Sequence, residues 1–186
     1  HPVTEMVSGI DIVVQQFRIA SGESIAELEI RQEGYAMEVR INAERMEMND
    51  EGAITFAPSP GTVTRLVLPE HAQVRVIPAV GQGTVVPPFY DSLIVQIIAH
   101  DRDRAAAIKK LRAYLGEVVI EGICTNLSMM EAILDDPVFQ GGPYDTAFLR
   151  GFYERADLRE LVERMEARSG AAGAAIDKEA IRIEGS

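Results

Sequence analysis

Two periods alternate along the chain, and the switches between them outline a fold. Over residues 8–20 the apolar positions Ile10, Val13, Val14 and Phe17 recur at helical spacing, with Ser8 as the candidate cap and Gly22 past the end. Residues 35–43 change to strict alternation. Met37, Val39, Ile41 and Ala43 take one side and Glu38, Arg40 and Asn42 the other, as in a half-buried strand. Ala57-Pro58-Ser59-Pro60-Gly61 reads as a turn, and strands are expected over 62–68, 74–80 and 84–86, with Pro69 and Gly81 to Gly83 as breaks.

The helical period returns over 89–99 through Phe89, Leu93, Ile97 and Ile98. Asp101 is expected to cap a second helix carrying Ala105, Ile108, Leu111 and Leu115 on one face. A short strand at 118–120 follows, then a helix from a cap at Asn126 through Leu134, with Pro137 beyond its end. Residues 144–168 read as helix in two pieces, and 169–175, rich in Gly and Ala, as a linker before weak alternation at Ile181 and Ile183. No repeat of solenoid length is present. One entering helix, a run of strands and a run of helices predict an α+β fold, mainly an antiparallel sheet with helices packed on it.

Composition changes this picture little. Of 186 residues, 47% are apolar and 25% charged, as in ordinary globular chains. No apolar run approaches the roughly 18–20 residues of a membrane span, and the first residues lack the basic-then-apolar order of a signal peptide. The formal net charge of −11 argues against nonspecific nucleic-acid binding, because phosphates would be repelled on average. The single cysteine, Cys124, allows no intrachain disulfide and sits in an apolar stretch, so a small core residue is expected there; a reducing, cytoplasmic setting fits.

Two local features carry candidate chemistry. Alternation puts Glu38, Arg40 and Asn42 on one strand face, where a guanidinium offers several donors in a fixed fork. On pattern alone, a solvated strand face is the simpler account. In Val86-Pro87-Pro88-Phe89-Tyr90-Asp91-Ser92 two prolines stiffen the approach to Asp91, which is expected in the first turn of a helix. Such a carboxylate suits the helix dipole, and could equally orient an arginine. The three histidines show no metal-ligand spacing, and Gly81-Gln82-Gly83 lacks the third glycine of a dinucleotide loop. The basic cluster over 102–112 is interleaved with acids and reads as a solvated helix face, while Met129 and Met130 read as core.

In order, these segments resemble the biotin carboxylase family. His1-Pro2-Val3-Thr4-Glu5-Met6-Val7-Ser8-Gly9-Ile10-Asp11 and Phe17-Arg18-Ile19-Ala20-Ser21-Gly22 are similar to the stretch that closes its ATP-grasp domain. Glu38-Val39-Arg40-Ile41-Asn42-Ala43-Glu44 resembles the signature strand of its C-terminal domain. Pro58-Ser59-Pro60-Gly61, Val86-Pro87-Pro88-Phe89-Tyr90-Asp91-Ser92-Leu93-Ile94, Gly122-Ile123-Cys124-Thr125-Asn126, Asp136-Pro137-Val138-Phe139 and Tyr144-Asp145-Thr146-Ala147-Phe148-Leu149 follow in family order. The resemblance spans about residues 1–150.

It implies a division into 1–31 as the end of an ATP-grasp domain, 32–155 as the biotin carboxylase C-terminal domain, and 156–186 as helix and linker, leading in multi-domain carboxylases toward a biotin-carrying domain. It implies an ATP-dependent ligase of a biotin-dependent carboxylase such as acetyl-CoA carboxylase. There ATP activates bicarbonate as carboxyphosphate and the carboxyl group passes to a ureido nitrogen of biotin. Arg40 would then contact the ureido oxygen, and Asp91 would pair with Arg40, so both are expected to bind biotin. Expected partners are a biotin carrier domain, a carboxyltransferase and the remaining ATP-grasp portion.

The family's magnesium ligands, bicarbonate arginine, glutamate base and ATP-holding lysines precede the stretch matched here. The chain opens at His1 rather than Met, and an excerpt unable to turn over ATP by itself is expected. Glu5 is expected to be structural. Three positions depart from the family. The stretch after Glu44 is long and acidic, Glu70-His71-Ala72-Gln73 replaces a glycine-rich turn near the bacterial dimer surface, and Gln96 replaces a lysine. The first two leave a homodimer open. The competing expectation is a non-catalytic module that docks a biotin carrier protein or another carboxylase subunit.

Overall fold

Strand β8 (Leu93–Asp101) runs between β1 (Tyr35–Asn42) and β6 (Val74–Pro78) in a three-stranded antiparallel sheet. The sequence led us to expect a helix over 89–99, and the computed structural model corrects this. Ile94, Val95, Ile97, Ile98 and Ala99 are all fully buried. A strand covered on both faces loses its alternation and reads as a continuous apolar run, which period alone cannot tell from a buried helix. All but Ala99 are β-branched, the composition that favours the extended chain.

The structure describes residues 1–49, 53–142 and 144–170. Helix α3 (Arg104–Glu117) packs on one face of this sheet through Ala107, Ile108, Leu111, Tyr114 and Leu115. Its cap is Asp103, which accepts from the Ala106 N–H at 2.8 Å, and not Asp101, which ends β8 and pairs with Lys110 at 2.7 Å. Ala105, expected on the packing face, is exposed. Burial pushes the Tyr114 hydroxyl up to about 12, and it donates to the Pro69 carbonyl at 2.8 Å.

Helix α1 (Pro2–Ser8) lies against the other face. Its buried Glu5 reaches Arg75 of β6 at 3.2 Å and accepts from the Ile12 N–H at 2.9 Å. Glu5 is thus structural, as expected. The single helix expected over 8–20 is instead two. Gly9, at φ 69, ends α1 in the left-handed region that only glycine adopts without strain, and Asp11 caps α2 (Ile12–Ala20) through the Val14 N–H at 2.8 Å.

Two-residue and three-residue ribbons replace the long strand expected over 62–68. Strand β4 (Gly61–Thr62) pairs with β7 (Val85–Val86), and β5 (Arg65–Val67) pairs with β9 (Val119–Glu121). The fully buried Val63 lies between them. Gly122 follows at φ 95, where a Cβ would stand 2.0 Å from the Thr62 carbonyl oxygen, so only glycine fits this crossing. A separate hairpin joins β2 (Glu44–Met48) to β3 (Ile54–Pro58).

Four further helices follow among the described residues: α4 (Leu127–Asp135), α5 (Pro137–Gly141), α6 (Phe148–Arg155) and α7 (Leu158–Arg168). The last two bear out the two pieces expected over 144–168. Pro137 opens α5 instead of merely following α4, because a missing N–H costs nothing at a first helical position. Cys124 is buried in the core and its thiol is pushed up by that burial, which fits a packing role. Ser169 and Gly170 belong to the expected linker; the rest of that linker and the weak alternation after it lie outside the described residues.

Candidate functional site

The alternation of β1 puts Met37, Val39 and Ile41 in the core and leaves Glu38, Arg40 and Asn42 on the opposite face. Pairing with β8 is regular from Tyr35 opposite Asp101 to Ile41 opposite Val95, then jumps to Asn42 opposite Leu93. Ile94 is the extra residue of a β-bulge, and the ladder is broken at Asn42. Asn126 repairs it: its Oδ1 accepts from the Asn42 N–H at 2.9 Å and its Nδ2 donates to the Arg40 carbonyl at 3.2 Å. The Asn126 N–H donates to the Asn42 carbonyl at 3.2 Å. A primary amide can mimic a peptide in this way, offering one donor and one acceptor side by side.

Asn126 was expected to cap α4 with its side chain. It makes no such bond, because its amide is engaged by β1. The consequence for the site is that the backbone carrying Arg40 is tied down on both sides of Ile41.

Beyond the bulge an open cavity of about 610 Å3 lies between β1, the β2–β3 hairpin and the segment joining β7 to β8. Arg40, Asn42 and Glu44 line one side, Phe56 and Pro58 a second, and Pro87, Tyr90 and Asp91 a third. Arg40 Nη2 stands 4.0 Å from Asp91 Oδ2, with side-chain exposures of 50% and 74%. The two residues singled out from sequence are therefore brought together. That distance is beyond a hydrogen bond, and an exposed pair of this kind is worth about 0–1 kcal/mol. The guanidinium fork thus keeps its donors available to a ligand.

Asp91 does not sit in a helix. It precedes β8 and its Oδ1 accepts from the Leu93 N–H at 2.8 Å, a local turn that sets its direction. Sequence reasoning missed Glu44 and Ser92. Glu44 Oε1 accepts from Ser92 Oγ at 2.6 Å and from Asn42 Nδ2 at 3.3 Å, and the Ala43 N–H donates to the Ser92 carbonyl at 2.7 Å. The first acid after Arg40 in sequence is thereby committed to the wall. Glu38, on the face of Arg40, accepts from Gln96 Nε2 at 2.9 Å and does not line the cavity.

Among the described residues, no three His, Cys, Asp or Glu side chains come together as a metal set. The described side chains offer magnesium no ligand set. No described helix is long and apolar enough to cross a membrane.

The arginine held on a stapled strand at the rim of an open cavity belongs to an α+β domain, an antiparallel sheet with helices packed on it. The family model for the biotin carboxylase C-terminal domain matches residues 38–151, and the chain belongs to that family. It is 42% identical over 151 residues to a biotin carboxylase of Halalkalibacterium halodurans, covering 80% of this chain and 32% of that protein. Its fold superposes with a TM-score of 0.72, at 36% identity, on the biotin carboxylase domain dimer of the Hydrogenobacter thermophilus 2-oxoglutarate carboxylase in complex with MgADP, ADP and bicarbonate, covering 84% of this chain and 34% of that one. With a single-chain, multi-domain long-chain acyl-CoA carboxylase the TM-score is 0.74 at 31% identity, covering 88% of this chain and 17% of that one. The chain spans about a third of the length of the curated relatives it matches.

Proposed function

We propose that this chain serves as the C-terminal part of an ATP-dependent biotin carboxylase, with Arg40 binding the ureido oxygen of biotin and Asp91 orienting Arg40. The observation that carries this reading is the half-exposed guanidinium of Arg40, carried on a strand whose backbone Asn126 staples and facing an open cavity with only a loose partner. Biotin supplies the ureido nitrogen that accepts the carboxyl group. As that nitrogen becomes nucleophilic, negative charge grows on the ureido oxygen, and the fixed N–H donors of Arg40 stabilise it more in the transition state than in the ground state. Asp91, tied by the Leu93 N–H, limits the directions the fork can take.

ATP, magnesium and bicarbonate are handled by residues outside this chain, in the remaining two thirds that its relatives possess. The complex of the H. thermophilus domain with MgADP and bicarbonate, and the multi-domain architecture of the long-chain acyl-CoA carboxylase, support a setting with a biotin carrier and a carboxyltransferase. Work in the cytoplasm fits the lone buried cysteine. The relatives act on acceptors as different as 2-oxoglutarate and long-chain acyl-CoA, so the final acceptor is chosen elsewhere.

The test is steady-state carboxylation of biotin by a full-length enzyme bearing this segment. Arg40→Ala is expected to lower turnover about a hundredfold, equivalent to ~3 kcal/mol, with nucleotide affinity unchanged. Arg40→Lys should recover only part of it, since an ammonium cannot reproduce the planar fork. Asp91→Asn should act in the same direction and more weakly. Unchanged carboxylation in Arg40→Ala, or an equal fall in ATP affinity, makes Arg40 structural and ends the reading.

A further inference from the structure

The β2–β3 hairpin is bonded to no other strand among the described residues. A two-stranded ribbon by itself is marginal in water, so something else must hold it in place. Directly paired residues share a face, which sets Glu44 opposite Pro58, Met46 opposite Phe56 and Met48 opposite Ile54 on one side of the ribbon. That single face has two duties. At one end Glu44, Phe56 and Pro58 line the cavity beside Arg40. Towards the other, Met46 is 3% exposed and joins Cys124, Met129, Phe152, Leu161 and Met165 in a second apolar core, with Ile54 packed against it.

Leu161 and Met165 belong to α7, which lies beyond residue 151, where the family match ends. A charge cluster fastens α7 from above. Glu131 of α4, 3% exposed, receives Arg164 at 3.4 Å and Arg168 at 2.9 Å from α7, and Arg112 of α3 at 3.2 Å. The Gly122 N–H also donates to the Ser169 carbonyl at 2.7 Å, just past the helix. Two of the three guanidinia that compensate this buried carboxylate are in place only while α7 is docked.

We infer that α7 is a positioning element for the biotin cavity. Through Met165, Leu161 and Met46 it holds the β2–β3 wall against the Arg40 strand, with Glu131 as the latch. This inference rests on the cavity being the biotin site. Helix α7 lies outside the residues that the family model matches.

The experiment uses a full-length enzyme bearing this segment, with free biotin as the probe. Met165→Ala thins the contact, and Arg164→Gln with Arg168→Gln opens the latch while leaving Glu131 paired to Arg112. Each is read by hydrogen exchange over 44–48 and 54–58 and by biotin carboxylation kinetics. Both variants should lose protection in the hairpin and raise KM for biotin about fivefold or more, while kcat and KM for ATP change less than about twofold. Arg164→Lys with Arg168→Lys should restore most of the KM, because the latch needs charge.

Equal loss of kcat and of ATP affinity would mean general unfolding and would overturn the inference, as would unchanged biotin KM in folded variants. Arg40→Ala, run alongside, separates the two layers. If it abolishes carboxylation while the α7 variants leave biotin KM untouched, the site stands and α7 plays no part. If neither has any effect, the cavity is not the biotin site.

Discussion

Helices α2 and α4 are each nine residues long and each carries apolar residues at helical spacing, yet they end in opposite states. Helix α4 buries Leu127, Met129 and Leu134 against the sheet, α3 and α7. Helix α2 buries nothing: Val13, Val14 and Phe17 are 43%, 42% and 74% exposed. The period of a helix states what it can bury. Whether it does so depends on what stands opposite, and among the described residues nothing stands opposite the apolar face of α2. Under the proposed function, this exposed apolar face is the surface that the ATP-grasp portion would cover.

The comparison is sharpest where its two halves differ most. Leu134 is 2% exposed in the main core, so Leu134→Ala removes transferred surface and leaves a cavity. We expect a loss of about 3 kcal/mol, within the ~2–5 range of such substitutions, seen as a lower urea midpoint at unchanged slope. A loss under ~1 kcal/mol would mean α4 is no better seated than α2.

The caps give a smaller and pH-dependent contrast. Asp11 caps α2 in the open through one N–H. Asp136 caps α5 through the Val138 and Phe139 N–H groups at 2.8 and 2.9 Å, with Arg155 at 3.1 Å, and its side chain is 8% exposed. Burial alone would raise its carboxyl. The two N–H donors and Arg155 outweigh that and hold it below the ordinary value. A carboxyl depressed in the folded state adds stability that is complete above its unfolded pKa, about 3.9, and is lost as pH falls through the folded value. Asp136→Asn, which keeps an amide cap and removes the charge, should therefore cost about 1 kcal/mol at pH 7 and progressively less below about pH 4. Chemical unfolding at several pH values checks this; a cost independent of pH would assign the effect to shape rather than charge.

Much of the fold was legible because it rests on alternation with one wet face. Strand β1 reads directly from Met37, Val39 and Ile41 against Glu38 and Arg40. Strand β8 did not, since burial on both faces erases the alternation that identifies a strand. The ribbons β4 and β5 were read as one strand, because nothing in Thr62 to Leu68 announces that its two ends pair with different partners. Of the site, Arg40 and Asp91 came from the resemblance and the structure puts them 4.0 Å apart. Asn126, Glu44 and Ser92 were not legible as site residues. Their roles come from a bulge at Ile94 and from contacts 84 and 48 residues apart in sequence, which no local pattern encodes.

The smallest expected effect tests the comparison most directly. In this chain Phe17 is 74% exposed, so Phe17→Ser removes little buried surface and should change stability by no more than about 0.5 kcal/mol. In a full-length enzyme bearing this segment, residues 1–31 would close the ATP-grasp domain, as the family resemblance implies, and the same substitution would strip an aromatic from a covered seam. There it should cost about 2 kcal/mol or more, on the scale of fully burying such a side chain. The measurement is a pair of urea titrations, one on each protein, each against its own parent. A neutral result in both would leave the apolar face of α2 without an internal partner and would separate this segment from the ATP-grasp portion. A loss in the isolated chain as large as that of Leu134→Ala would mean α2 is docked within these residues, and the two helices would no longer differ. A cost confined to the longer protein is the outcome that follows if the same helical pattern is present in both helices and only the partner is missing from one.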